Sequence, residues 1–169
     1  MKVTSRTLWR DFEPWAKCLT YESRTSIEQA AIANYANGAK TFYEIKVGAF
    51  LDYLDGDISA VGVKGDASVF EHYYIEGLAT FTAEFVKMLQ RLTLERTGDE
   101  IAASSNLVQM TFAESTLVFL RAYFGLPNFK AAAELTLNDW LIAKHDAYNT
   151  QLFQRNFNEL QKRKIKTKK

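Results

Sequence analysis

The sequence predicts an all-α fold, an irregular bundle of five to seven helices around a long central helix and ending in a long basic helix. Three observations carry this. No proline stands between Pro14 and Pro127, and the glycines other than Gly77 fall at plausible segment ends, which is how helical chains are punctuated. Apolar residues advance by threes and fours over long stretches, above all across 68–97, as one buried face of a helix requires. The helical segments together cover well over half the chain, against about one third in an ordinary globular protein, and a bundle is the architecture that accommodates them.

A first short helix is expected from Asp11, a good N-cap, with Pro14 in its first turn, running through Trp15 and Leu19. Thr25-Ser26-Ile27-Glu28 fits a capping box opening a second helix, whose Ile27, Ala30, Ala31 and Tyr35 share a face before Asn37-Gly38 stops it. Residues 41–47 are the most strand-like stretch, since Tyr43, Ile45 and Val47 alternate with Glu44 and Lys46. With no partner strand, the segment reads as an extended connector. A short helix around Val47, Phe50, Leu51 and Leu54 should end at Asp55-Gly56-Asp57, followed by a loop holding Gly56, Gly62 and Gly65. The central helix, 68–97, would be roughly 45 Å long at 1.5 Å per residue and end at Gly98-Asp99. Another helix from Glu100 or Asn106 to Phe124 carries Leu107, Met110, Ala113, Leu117 and Leu120 on one side and closes at Gly125 and Pro127. Thr136 caps the last helix, with Asp139 against its positive end, and the pattern runs to about Lys162.

The charge is unevenly spread. The chain of 169 residues has 21 Lys and Arg against 20 Asp and Glu, a formal +1. From Arg155 onward, however, stand seven cations and one acid, Glu159, so a body of −5 (1–154, a single helical domain) carries a +6 end (155–169). The total excludes a protein that is basic throughout, but not local contact with phosphate or an acidic surface. Cys18, the single cysteine, excludes an intrachain disulfide and reads as a small core residue in a reducing compartment, the cytoplasm. No signal peptide and no membrane span is apparent in the apolar runs.

Catalytic chemistry finds little footing. Val69 and Ile142 stand three before His72 and His145, so the Glu-x-x-His pairs of di-iron bundles are missing, as is His-Glu-x-x-His. His72 reads as a polar residue on the outer face of the central helix. Asp52, Asp55, Asp57 and Asp66 crowd the glycine-rich loop but not in the order of a calcium loop, and read as caps and a solvated turn. Gly62-Val63-Lys64-Gly65 matches the short loop that clamps nucleic-acid backbones, without the strands such domains require. No catalytic, cofactor or metal residue is assigned.

Binding surfaces are better marked. On the last helix Phe153, Phe157 and Leu160 form one stripe, and Leu141, Tyr148 and Leu152 a rotated one. Either one stripe packs on the body while the other docks on a partner, or a single wide stripe is buried. Lys162, Arg163, Lys164, Lys166, Lys168 and Lys169 extend the surface. They complement the helix dipole, meet nucleic acid non-specifically, or clamp an acidic protein, including the −5 body of another subunit.

The order of parts is a short aromatic helix, Tyr43-Glu44-Ile45-Lys46-Val47 leading into Phe50-Leu51-Asp52-Tyr53-Leu54, a long amphipathic spine, then Asp139-Trp140-Leu141-Ile142-Ala143-Lys144 with a lysine-rich tail. It resembles small helical accessory or assembly proteins of tailed bacteriophages. That resemblance implies a non-enzymatic role in a virion or its assembly, through protein contacts and oligomerisation, and assigns no functional residue. The expected function is self-association or docking to a larger assembly, with a non-specific nucleic-acid binder as the alternative.

Overall fold

The computed structural model describes residues 3–4, 6–104 and 108–166. Among them are eight α-helices and no strand: α1 (Trp9–Ala16), α2 (Tyr21–Tyr35), α3 (Val47–Leu54), α4 (Val69–Arg91), α5 (Gly98–Ser104), α6 (Phe112–Phe124), α7 (Phe129–Ala133) and α8 (Leu137–Lys166). One-turn 3-10 helices lie at Phe42–Glu44 and Ile58–Val61. The all-α prediction holds. The helix count exceeds it because α7 is short and the stretch assigned to one helix before Phe124 is divided into α5 and α6.

Several boundaries move, each for a local reason. Helix α1 begins at Trp9 rather than Asp11, because Leu8 bridges Ser68: the Trp9 amide donates to Ala67 O (3.0 Å) and the Val69 amide to Thr7 O (2.7 Å). Cys18 lies just beyond α1 and is exposed, not in the core. Thr20 caps α2, accepting from the Ser23 amide at 3.3 Å. The expected capping box at Thr25 is therefore mid-helix, its hydroxyl donating back to Tyr21 O (3.0 Å) while Glu28 pairs with Arg24 (3.0 Å). True capping boxes stand at Thr97–Glu100 and Thr111–Glu114. The first makes Gly98 the opening of α5, so α4 stops at Arg91 and spans about 35 Å. Met110 precedes α6 and is exposed, while Asn106 and Leu107 lie outside the described residues.

The core forms where α4 meets its neighbours. Tyr35 of α2 stacks on Tyr74 (centroids 5.7 Å apart), and Phe85 meets Phe50 of α3 at 5.6 Å and Trp140 of α8 at 5.5 Å. Gly77, the glycine inside the spine, has the Phe42 ring 3.2 Å from where a Cβ would stand. The connector 41–47 is one 3-10 turn and one isolated bridge, Lys46 to Thr136, with Val47 N donating to Leu135 O (2.8 Å) and Leu137 N to Ile45 O (2.9 Å). This ties the start of α8 to α3. No helix is long and apolar enough to cross a membrane, among the described residues.

At the base of α4 sits a buried carboxylate. Glu71 is 3% exposed, and its oxygens accept from the amides of Lys64 (2.7 Å), Gly65 (2.6 Å) and Ala67 (2.9 Å). Gly62 precedes this loop at φ +93°, where a Cβ would stand 1.8 Å from Tyr35 O. Beside it the Tyr35 hydroxyl bonds Asp66 and, at 2.7 Å, Ser68, the N-cap of α4.

Gln at position 71 keeps the shape but places an NH2 donor against an amide donor. Glu71→Gln is expected to lower stability by about 2–4 kcal/mol in urea unfolding; an unchanged midpoint would refute the role. Alkaline pH tests the neighbouring tyrosines. Burial first, then the bond to Asp66, pushes Tyr35 up to about 12, and burial pushes Tyr74 up to about 12. The unfolded chain releases these protons near pH ~10 while the folded one keeps them. Their contribution is thus whole below the unfolded value and lost as pH rises from 10 through 12. Tyr35→Phe should cost about 1–2 kcal/mol at neutral pH and flatten part of that alkaline fall; a fall equally steep in the variant would exclude Tyr35 as a source.

Candidate functional site

Helix α8 is anchored at one end. The Thr136 amide donates to Asp139 Oδ2 (2.9 Å) and the Asp139 amide to Thr136 Oγ1 (3.2 Å), closing the predicted start as a reciprocal cap. Leu137, Trp140 and Ala143 are fully buried, and Leu141 packs against the same core. From Asn149 to Ile165 every residue is exposed except Arg155. The helix thus leaves the body after Tyr148 and continues for roughly 25 Å.

The sequence-predicted residues fall on this outer half. Phe153, Phe157 and Leu160 are 69%, 49% and 55% exposed, and the two phenylalanine rings stack at 6.2 Å. At about 100° per residue the three lie within a 60° arc. Of the rotated stripe, Leu141 and Tyr148 are half-buried and Leu152 is exposed, so a single wide stripe buried along the whole helix is not what the structure shows. Ile142, exposed at 54%, lies on the same angular face in the anchored half, with the polar Asp146 and Asn149 between it and Phe153. Its place was readable from the same helical spacing. Lys162, Arg163 and Lys164 are exposed at the far end of α8, Lys166 is its last residue, and Lys168 and Lys169 lie outside the described residues.

One contact braces the projecting half. Arg155 donates to Glu100 Oε2 of α5 at 2.9 Å. The Thr97 amide, the Thr97 hydroxyl and this guanidinium together hold the Glu100 carboxyl below the usual range. No local pattern in sequence announces a pair 55 residues apart.

Other predicted positions turn inward or serve as caps. The amides of Lys64 and Gly65, in the Gly-x-x-Gly loop that could receive a phosphate, are occupied by Glu71 of the same chain. Asp57 caps the 3-10 turn through the Ser59 amide (3.0 Å), and the Ser59 hydroxyl holds its carboxyl low. Asp66 is engaged by Tyr35 and by the Ser68 amide (2.9 Å). Among the described residues no group of three or more His, Cys, Asp or Glu is placed to hold a metal ion. His72 is not on the outer face as expected. Its ring stacks on Trp9 of α1 at 3.5 Å between centroids, with Nε2 3.4 Å from Glu76.

The chain matches no protein-family model, no curated protein and no solved structure. The geometry of α8 therefore carries the functional argument by itself.

Because Phe153 and Phe157 touch little of the body, the double substitution Phe153→Asp, Phe157→Asp should change the free energy of unfolding of the isolated chain by less than about 0.5 kcal/mol. Urea unfolding at low protein concentration measures this; a loss of several kcal/mol would mean that these rings are core.

Proposed function

We propose that this chain is a non-enzymatic assembly protein that associates with copies of itself through the projecting half of α8. The observation that carries the reading is a stripe of Phe153, Phe157 and Leu160 exposed along the half of α8 that has left its own core. Apolar side chains presented on one helical face are the usual currency of helix–helix association. Charge favours an antiparallel arrangement. Parallel α8 helices would bring the cations at 162–166 of two copies together, whereas antiparallel ones lay each basic end beside the acidic body of the other. The resemblance to accessory proteins of tailed bacteriophages makes a virion or its assembly the proposed setting.

The second reading, non-specific nucleic-acid binding, is supported by the same run Lys162, Arg163, Lys164 and Lys166 with Glu159 as its one nearby acid. On duplex DNA each phosphate neutralised contributes roughly −0.9 to the log–log salt slope.

Light scattering across protein concentration separates the two readings. The parent should rise above the monomer mass of 19.3 kDa, and both Phe153→Asp, Phe157→Asp and a chain ending at Gln154 should remain monomeric with unchanged helical content in the body. A parent that stays monomeric at every concentration overturns self-association, and salt-dependent retention of DNA by that monomer would establish the second reading in its place.

A further inference from the structure

Helix α8 makes its later contacts with the body from one side. Lys144, Tyr148, Gln151 and Arg155 line a cleft against Glu100 of α5, and Arg155 donates to Glu100 across it at 2.9 Å. These four recur at spacings of four and three, so they share a face. Phe153 and Phe157 each stand two residues from Arg155, hence about 160° round the helix from it. The apolar stripe therefore points away from its own body.

That outward face carries a longer pattern than its apolar part. Asp146, Thr150, Phe153, Phe157, Leu160 and Lys164 follow one another at four, three, four, three and four, and all six are exposed. This alternation is that of the d and a positions of a two-helix coiled coil. An acid closes the seam at the end nearest the body and a cation closes it at the far end. Asp146 is held there through one oxygen, which accepts from the Tyr123 hydroxyl of α6 at 2.8 Å.

The closing charges distinguish the ways two such helices can pair. In a parallel pair each residue meets its own copy, which sets Asp146 against Asp146 and Lys164 against Lys164. In an antiparallel pair with the two-fold axis level with Arg155, Phe157 packs on the second copy's Phe153, Leu160 covers Thr150, and Lys164 stands opposite Asp146. Symmetry makes every layer twice. A slip of one heptad sets a charge against a ring, either Asp146 opposite Phe157 or Lys164 opposite Phe153. Gln154, Asn156 and Gln161 flank the seam without charge, so the selection falls to its two ends. Length agrees as well. In the matched register the last turn of the second copy's α8 lies level with Asp146, where α6 reaches α8, so the pairing occupies the projecting half and stops at the body.

We propose that the occupant of this face is the α8 of a second copy in the antiparallel register just described, a geometry that holds only if α8 self-associates, with Asp146 and Lys164 setting its direction and alignment. The assembly then closes as a two-fold dimer, because the same face serves both copies.

Sedimentation equilibrium of the full-length chain at low ionic strength compares the parent with Asp146→Lys, Lys164→Asp and the double exchange. Each single reversal sets like charges opposite at both ends of the seam and should weaken dimerisation about tenfold or more. The double exchange restores opposite charges, though not the Tyr123 bond, and should return the affinity to within about threefold of the parent. An equimolar mixture of the two single variants should form mixed dimers of parent-like strength. A dimerising parent whose single reversals pair as tightly as it does, or a double exchange as weak as the singles, overturns the register while self-association stands. A parent that remains monomeric overturns both.

Discussion

The Glu71 carboxylate, taken out of water and held by three backbone amides, is the interaction on which the arrangement of α1, α2 and α4 depends. An ion buried this deeply is tolerated only when its lone pairs are met. The amides of Lys64, Gly65 and Ala67 meet them, which forces the loop into a tight curl around the first turn of α4. The curl in turn sets the neighbours. It places Ala67 O to receive the Trp9 amide of α1 and holds Asp66 and Ser68 against the Tyr35 hydroxyl of α2. Gly62 admits α2 from the other side, because no Cβ fits beneath Tyr35 O. One side chain thereby converts a short glycine-rich stretch into the junction of three helices.

The second half of the chain is attached by different means. The bridge at Lys46 and Thr136, flanked by the bonds of Val47 and Leu137, aligns α3 with the start of α8. Lys46 and Glu134 pair beside it, but both are more than half exposed, so the ion pair adds little. Packing does more: Gly48 lets the Ala133 side chain approach to 2.9 Å from where its Cβ would stand, and Trp140 fills the space between Phe85 and Phe112. The backbone bonds fix direction and the aromatic contacts fix depth.

Helical periodicity made α3, α4 and α8 legible, since each buries a stripe whose spacing survives in the sequence. Termination was less legible, for competing signals occur within a few residues. Thr20 and Thr25 are both competent caps, and the upstream one takes the role by accepting from the Ser23 amide; Thr25 then bonds back to Tyr21 O. Likewise Gly98 can end or begin a helix, and the Thr97–Glu100 box decides for beginning. The apolar stripe of the candidate site was visible as Phe153, Phe157 and Leu160. Its exposure was not, because burial depends on where α8 leaves the body. A cleft lined in part by Leu89, Phe112 and Lys144 was not legible for a different reason: these residues come from three helices and share no local pattern.

The way α8 is held bears on how it would engage a partner. A solvated segment the length of 149–166 is marginally helical in isolation, since nucleation is unfavourable and length alone compensates weakly. Here the nucleus is provided by Thr136, Asp139 and the buried Leu137, Trp140 and Ala143, and the exposed turns propagate from it. The brace from Arg155 to Glu100 is open to solvent on the Glu100 side and therefore weak, so the direction of the outer half follows mainly from the stiffness of a continuous helix. Under the proposed self-association, a second copy would meet Phe153, Phe157 and Leu160 already aligned. Association does not then have to supply the ordering free energy that a disordered tail of the same composition would require, a saving of about 2–5 kcal/mol or more in coupled folding and binding. The anchored cap and the projecting stripe are in this sense one device: the first makes the second rigid enough to be recognised.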